Sequence, residues 1–251
     1  MAGIFKRVEK KYLLNDEQRK ALVERPGDRI EEDTYGRYSI SNIYFDTADN
    51  GLIRCSLDKP VYKEKLRLRS YGTPKDNDTV FLEMKKKWKG TVYKRRVELP
   101  YKAAADYIEK GIYPDGYDCQ ILKEIDYMIR FYDLRPDTFL AYDRVAYVVS
   151  EDRNIRFTID ERIRSRNSGL KLSAGDAGEL LMKEGMSLLE IKAPGALPVW
   201  FAKILSDLKI YSTSFSKYGR VYREGLKKAC ASQSATILMP DGEPALATLS
   251  S

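Results

Sequence analysis

Histidine is absent from this 251-residue chain. That removes Ser–His and Cys–His nucleophile pairs and every imidazole metal ligand. Cysteine is scarce: Cys55, Cys119 and Cys230 are far apart and odd in number, which fits neither a zinc motif nor a disulfide framework. No apolar run approaches the ~18 residues of a membrane-crossing helix, and no secretory leader opens the sequence. The expectation is a cytoplasmic protein with no membrane segment of its own. Repeats and low-complexity linkers are missing from 1–230, which suits one domain over that range. Residues 231–251 are small, polar and patternless, and read as a disordered tail. Any metal would have to be held by carboxylates, which suits Mg²⁺ or Mn²⁺.

Positive charge, by contrast, is plentiful. Lys and Arg number 44 against 37 Asp and Glu, a net charge of +7. Such a balance favours anionic partners: nucleic acid, a membrane surface or phosphorylated small molecules.

Period-two alternation dominates the chain and predicts eight strands, near 4–14, 37–46, 61–71, 79–88, 91–99, 137–148, 153–164 and 187–193. Trp88-Lys89-Gly90-Thr91 reads as a hairpin turn. Helices are expected after Asn15, with Gln18 completing a capping box, over 101–110 up to Gly111, and over about 117–132. In the last of these, Ile121, Leu122, Ile125, Met128 and Ile129 form one stripe. Two more are expected, after Pro198 and around 216–229.

The alternation sorts charge onto one face of each strand. In 61–71, Lys63, Lys65, Arg67 and Arg69 share a side and Leu66 and Leu68 take the other. Arg7, Glu9 and Lys11 share a side in the first strand, as do Glu83, Lys85 and Lys87, and then Lys94, Arg96 and Glu98. Arg144 accompanies Tyr142 and Leu140. Arg156, Asp160, Arg162 and Arg164 alternate with Ile155, Phe157, Ile159 and Ile163. Glu190 and Lys192 alternate with Leu189 and Ile191. These faces carry 15 cations and 5 carboxylates, an excess larger than the net charge of the whole chain.

Apolar faces turned to water would cost roughly 1.5–3 kcal/mol per large side chain, so the helices must cover them. The charged faces then line the inside of a closed barrel. The alternative is a helix-covered sheet with its charges in bulk water. Cations crowded inside a barrel repel one another, and a chain of phosphates would relieve that. The Glu-x-Lys segments Glu83-Met84-Lys85 and Glu190-Ile191-Lys192 place a carboxylate beside a cation. That carboxylate serves either as a divalent-metal ligand or as a cross-strand ion-pair partner.

A set of short motifs runs through the chain in order. They are Glu9-Lys10-Lys11-Tyr12, Ile43-Tyr44-Phe45-Asp46-Thr47, Lys65-Leu66-Arg67-Leu68-Arg69, Phe81-Leu82-Glu83-Met84-Lys85 and Lys94-Arg95-Arg96. Ala141-Tyr142-Asp143-Arg144, Arg156-Phe157-Thr158-Ile159-Asp160, Leu189-Glu190-Ile191-Lys192 and Phe215-Ser216-Lys217-Tyr218 follow. Together they resemble the VTC polyphosphate polymerase domain of the triphosphate tunnel metalloenzymes, over nearly all of 4–229.

The resemblance implies an α+β fold, an eight-stranded antiparallel β-barrel forming a tunnel with peripheral helices. It also implies transfer of the ATP γ-phosphate onto inorganic polyphosphate with Mn²⁺ or Mg²⁺. Carried over by motif, Arg67, Arg69, Arg144 and Arg156 would act on the transferring phosphoryl group. Lys11, Lys65, Lys85, Lys94, Lys192, Lys217 and Arg220 would bind phosphates, and Glu190 would hold the metal. Tunnel hydrolases and cyclases usually open with Glu-x-Glu-x-Lys, and here Arg7 stands at the first acidic place. The rival expectations are a triphosphatase of the same fold, a non-catalytic polyphosphate binder, and a nucleic-acid binder using some of the 18 tyrosines.

Overall fold

The computed structural model describes residues 8–237 except Asp115 and Asp118, with side-chain surroundings through Lys228. The strands are β1 (Val8–Leu14), β2 (Ile30–Glu32), β3 (Tyr38–Asp46), β4 (Tyr62–Tyr71), β5 (Thr79–Trp88), β6 (Thr91–Pro100), β7 (Arg135–Val149), β8 (Asp152–Arg166), β9 (Glu179–Leu180), β10 (Ser187–Ala193) and β11 (Ser212–Thr213). The helices are α1 (Asp16–Glu24), α2 (Gly51–Leu57), α3 (Tyr101–Lys110), α4 (Gln120–Tyr132), α5 (Val199–Asp207) and α6 (Lys217–Ile237).

Local chemistry sets many of these boundaries. Asn15 Oδ1 accepts from the Gln18 amide at 2.8 Å, and the Gln18 side chain accepts from the Asn15 amide at 3.1 Å, the reciprocal capping box. Between β5 and β6, Lys89 and Gly90 both have positive φ, 45° and 86°, as a two-residue hairpin turn requires. Helix α2 has no counterpart among the expected elements. Its first amides are taken by a side chain from the end of β3: Asp46 Oδ1 accepts from Leu52 N at 2.8 Å and Oδ2 from Ile53 N at 3.0 Å.

All the strands join one antiparallel sheet in the order β11-β1-β10-β8-β7-β3-β4-β5-β6, with β2 added to β7 and β9 to β8. The eight expected strands are present. The closed eight-stranded barrel is not: the sheet has 11 strands and two free ends. The edge of β1 is taken by β11 at Lys11↔Thr213 and Tyr12↔Ser212. The opposite edge, β6, carries Lys94, Arg95 and Arg96, and charge of this kind discourages strand pairing. The sheet curls without closing, so that β1 and β5–β6 contribute to one cavity.

The convex face is apolar and covered, as the alternation requires. Leu66, Leu68, Leu82, Met84 and Val97 pack with Tyr107 of α3 and Leu122, Ile125 and Met128 of α4. Ile155, Phe157, Ile159, Leu189 and Ile191 pack with Leu22 of α1 and Phe201 and Leu205 of α5.

The concave face is not uniformly charged. One part of it is apolar, with Ile40, Leu140, Ile163 and Leu188 packing against Ile53 of α2 and Tyr218 and Val221 of α6. Ile163 arrives there through a bulge. Arg162 has a φ of 46°, and the register slips between Ala141 and Asp143, which exchanges the faces of β8 beyond Asp160. Arg162 and Arg164 therefore leave the charged concave face expected for them. They meet Asp143 instead, at 3.8 and 3.1 Å.

Arg7 and the first residues of the expected opening strand lie outside the described residues. Of the expected tail, 231–237 continue α6 and 238–251 lie outside the described residues. Among the described residues, no helix is long and apolar enough to cross a membrane.

Candidate functional site

The curled strands enclose a cavity of about 390 Å³. Because alternate residues of a strand point the same way, its wall is supplied two residues apart. β1 gives Glu9 and Lys11, β4 gives Lys65, Arg67 and Arg69, and β5 gives Glu83 and Lys85. Val92 and Lys94 come from β6, Tyr142 and Arg144 from β7, and Glu190 and Lys192 from β10. Ser216, Lys217 and Tyr218 enter at the start of α6. Tyr44 of β3 completes the wall. Nine of these side chains are cationic and three are carboxylates.

Ten of the twelve residues singled out by sequence line this cavity: Lys11, Lys65, Arg67, Arg69, Lys85, Lys94, Arg144, Glu190, Lys192 and Lys217. Arg156 and Arg220 do not. Arg156 is exposed, opposite Lys192 in register, and its Nε donates to the Arg153 carbonyl at 3.4 Å. Arg220 lies over the Phe215 ring, 5.7 Å from its centroid, and pairs with Glu224 at 3.5 Å. Its side chain is engaged by Phe215 and Glu224 rather than by the cavity wall.

Two acidic centres organise the cations. On one wall Glu83, 2 % exposed, takes Arg67 Nε at 2.7 Å and Lys94 Nζ at 2.8 Å. Arg69 stands 3.9 Å from it and donates to Asn42 Oδ1 at 3.1 Å. On the other wall, Glu190 meets Lys217 at 3.1 Å and Lys11 at 3.2 Å. Beneath it the fully buried Asp160 receives Arg144 through two bonds, 2.6 and 2.8 Å, and Lys217 at 2.5 Å. Sequence reasoning placed Asp160 on the charged face without giving it a role. Its role is to fix Arg144 and Lys217.

These contacts set protonation. Burial favours the neutral form of Glu83, but Arg67, Arg69 and Lys94 outweigh it and bring the carboxyl down to about 2. Burial likewise opposes ionised Glu190, yet Lys217, Lys11 and Arg144 hold it far below the usual carboxylate range. Lys217, although buried, is held above its ordinary value by Asp160 and Glu190.

Lys65 is different. Burial, aided by Lys63, Lys85 and Lys11, pulls it down to about 8. Its Nζ lies over the Tyr218 ring, 5.7 Å from the centroid. Tyr44, whose burial favours the phenol, is brought down to about 8 by Arg67, Lys65 and Arg69.

A second feature missed in the sequence holds α6 in place. Tyr218 stacks on Tyr44 with ring centroids 4.5 Å apart. Its hydroxyl lies 2.7 Å from Asp46 and 2.9 Å from Asp137. Burial and both carboxylates push the Tyr218 phenol strongly upward, so it stays protonated. Asp46 thus serves α2 and α6 together, and Lys217, the residue before Tyr218, is carried into the cavity by this anchor. The quoted motif Ile43-Tyr44-Phe45-Asp46-Thr47 contained the signal, but not its partner 172 residues later.

No group of three or more Asp, Glu, Cys or His side chains able to hold a metal exists among the described residues. Glu190 and Glu9 are linked through Lys11, which lies 3.2 and 3.6 Å from them. This donor set fits a hard divalent ion that takes one or two carboxylates and draws its remaining ligands from phosphate and water. It does not fit an ion that needs a complete protein cage.

The sequence matches the VTC domain over residues 6–224. No curated protein matches it. Among solved structures, one similar chain is a candidate adenylate cyclase of Bacillus halodurans. It has 17 % identity, a TM-score of 0.51, and coverage of 84 % of this chain and 93 % of that one. Another is a candidate adenylyl cyclase from Hippeastrum, described as revealing a dominant triphosphatase activity. It has 16 % identity, a TM-score of 0.51, and coverage of 87 % and 96 %. At these identities the likeness is one of fold. The family match spans most of the chain, and the protein belongs to the VTC domain family.

Proposed function

We propose that this protein is a polyphosphate polymerase, moving the γ-phosphate of ATP onto a growing inorganic polyphosphate chain and releasing ADP. The observation that carries the reading is a cavity with nine cationic side chains and three carboxylates. That excess calls for a ligand with several linked negative charges, and phosphate chains supply them at close spacing.

The reaction needs no protein nucleophile. A terminal phosphate oxygen of the acceptor chain attacks Pγ in line, a new P–O bond forms, and the bond from Pγ to the β,γ-bridging oxygen breaks with its electron pair leaving on ADP. Catalysis is then positioning and charge stabilisation. Arg67, Arg69 and Lys94, ordered around Glu83, hold one side of the transferring group. Arg144, Lys217 and Lys11, ordered by Asp160 and Glu190, hold the other. Lys65 and Lys85 neutralise neighbouring phosphates, and Lys192 with the exposed Arg156 receives chain at the rim. Arg220 has no part in this arrangement.

A divalent ion, Mn²⁺ or Mg²⁺, fits at Glu190 with Glu9 beside it, where it would neutralise phosphate oxygens.

The test is product analysis of purified protein with ATP and either metal, on a polyphosphate-staining gel beside a free-phosphate assay. Long chains with ADP support the polymerase, free phosphate without chains supports a triphosphatase, and neither product supports a binding protein. Glu190→Ala that keeps full synthesis refutes the metal assignment.

A further inference from the structure

Four aromatic rings stand in a row beyond the Arg69 and Arg144 end of the cavity. Tyr35 meets Tyr38 at 6.4 Å, Tyr38 meets Tyr71 at 5.8 Å, and Tyr71 meets Phe81 at 5.6 Å, all edge to face. Three of them continue the cavity-lining face by strand parity. Tyr38 is in step with Tyr44 on β3, Tyr71 with Arg67 and Arg69 on β4, and Phe81 with Glu83 and Lys85 on β5. Register ties them to the phosphate grips: Tyr38 is paired with Arg144 across β3–β7, and Phe81 with Arg69 across β4–β5. Tyr71 is one two-residue step from Arg69, about 7 Å along the strand, a gap that a ribose spans.

Stability alone does not account for this row. Edge-to-face pairs stabilise a fold chiefly while burying their rings, yet Tyr71 is 51 % exposed and Tyr35 78 % exposed. Phe81 has its ring covered by the Arg96 guanidinium, 4.7 Å from the centroid. Tyr71 is the half-exposed ring one step from the cavity-lining Arg69, and Arg96 brings positive charge to its neighbour Phe81.

We propose that Tyr71, braced by Tyr38 and Phe81, is the nucleobase platform of the nucleoside triphosphate, with the triphosphate reaching into the cavity past Arg69 and Arg144. The inference rests on the reading of the cavity as a triphosphate site and adds the part that recognises the nucleoside. An aromatic platform binds any base through its π-face, and purines, with the larger ring, more strongly than pyrimidines. The protein therefore takes ATP and GTP with similar affinity and prefers both to CTP and UTP.

The test is titration calorimetry of ATP and of tripolyphosphate, each with Mg²⁺, on the wild type, Tyr71→Ala and Tyr71→Phe. Tyr71→Ala is expected to weaken ATP binding roughly 5- to 150-fold and to leave tripolyphosphate within about twofold, while Tyr71→Phe keeps ATP affinity because the ring remains. Equal ATP affinity in wild type and Tyr71→Ala overturns the platform, as does an equal loss of both ligands. ATP binding that depends on Tyr71, in a protein that does not bind tripolyphosphate, supports the platform and refutes the cavity reading. Failure of the wild type to bind either ligand refutes both.

Discussion

Replacing Glu83 by Gln removes the carboxylate around which one wall of the cavity is built, and its cost can be worked out in two ways. Glu83 is 2 % exposed and has Arg67 and Lys94 within 2.8 Å. Removing one partner from a buried ion cluster leaves uncompensated charge and typically costs 3–5 kcal/mol. The carboxyl is also lowered from 4.5 to about 2 by the fold, which corresponds to roughly 3 kcal/mol of stability at neutral pH. By sign, that stability is fully present above pH 4.5 and is lost as pH falls through about 2.

Glu83→Gln should therefore unfold in urea at pH 7.5 with a loss of roughly 3–5 kcal/mol. Tripolyphosphate at a hundred times its wild-type Kd should return about 2.7 kcal/mol to the wild type. The variant should gain more from the ligand than the wild type does, because three cations then lack their internal counter-ion. The assay is a pair of urea titrations for each protein, with and without tripolyphosphate. A variant as stable as the wild type without ligand would refute the reasoning, since Glu83 would then not be organising Arg67, Arg69 and Lys94.

Two further outcomes follow from the same electrostatics. Lys65 and Tyr44 both titrate near 8 in the free cavity, and a bound polyanion raises both. Binding then takes up protons, so affinity is full below about pH 8 and falls above it, by up to roughly tenfold per pH unit for each group. Long-chain polyphosphate is the ligand to use, because its internal phosphates do not titrate in this range. Fluorescence titration from pH 6.5 to 9.5 should show the fall, and Lys65→Gln should flatten it. Tyr218→Phe should lower the unfolding free energy by about 1–3 kcal/mol in urea titration by leaving Asp46 and Asp137 without their shared donor. It should also weaken polyphosphate binding by loosening Lys217.

Most strands of this protein were legible because they alternate apolar and charged residues. Lys65, Arg67 and Arg69 against Leu66 and Leu68 is enough to fix both face and inward direction once the helices must cover the apolar side. The same rule failed at Arg162. A bulge inserts one residue, the alternation reverses, and Ile163 rather than Arg164 turns inward. Nothing in the local sequence marks a positive φ at an arginine.

That the sheet stays open was likewise illegible, because the edge of β1 is taken by β11. That strand has only two residues, too short for any periodicity to reveal. Helix α2 was missed for a related reason. It is seven residues long, and its amides are taken by Asp46 rather than by an adjacent cap. Within the site, the cations were found by parity. The contributions of Asp160 and of Tyr218 with Asp46 and Asp137 required contacts between residues distant in the chain.

The most direct test of the central claim is the fate of the γ-phosphate. Purified protein is given ATP labelled at the γ-position with Mn²⁺ or Mg²⁺, and ADP, free phosphate and polymer are separated and counted together. The account predicts that the label accumulates in polymer, with one ADP for each phosphate incorporated. Label appearing as free phosphate in step with ADP, with none in polymer at any time, would contradict it.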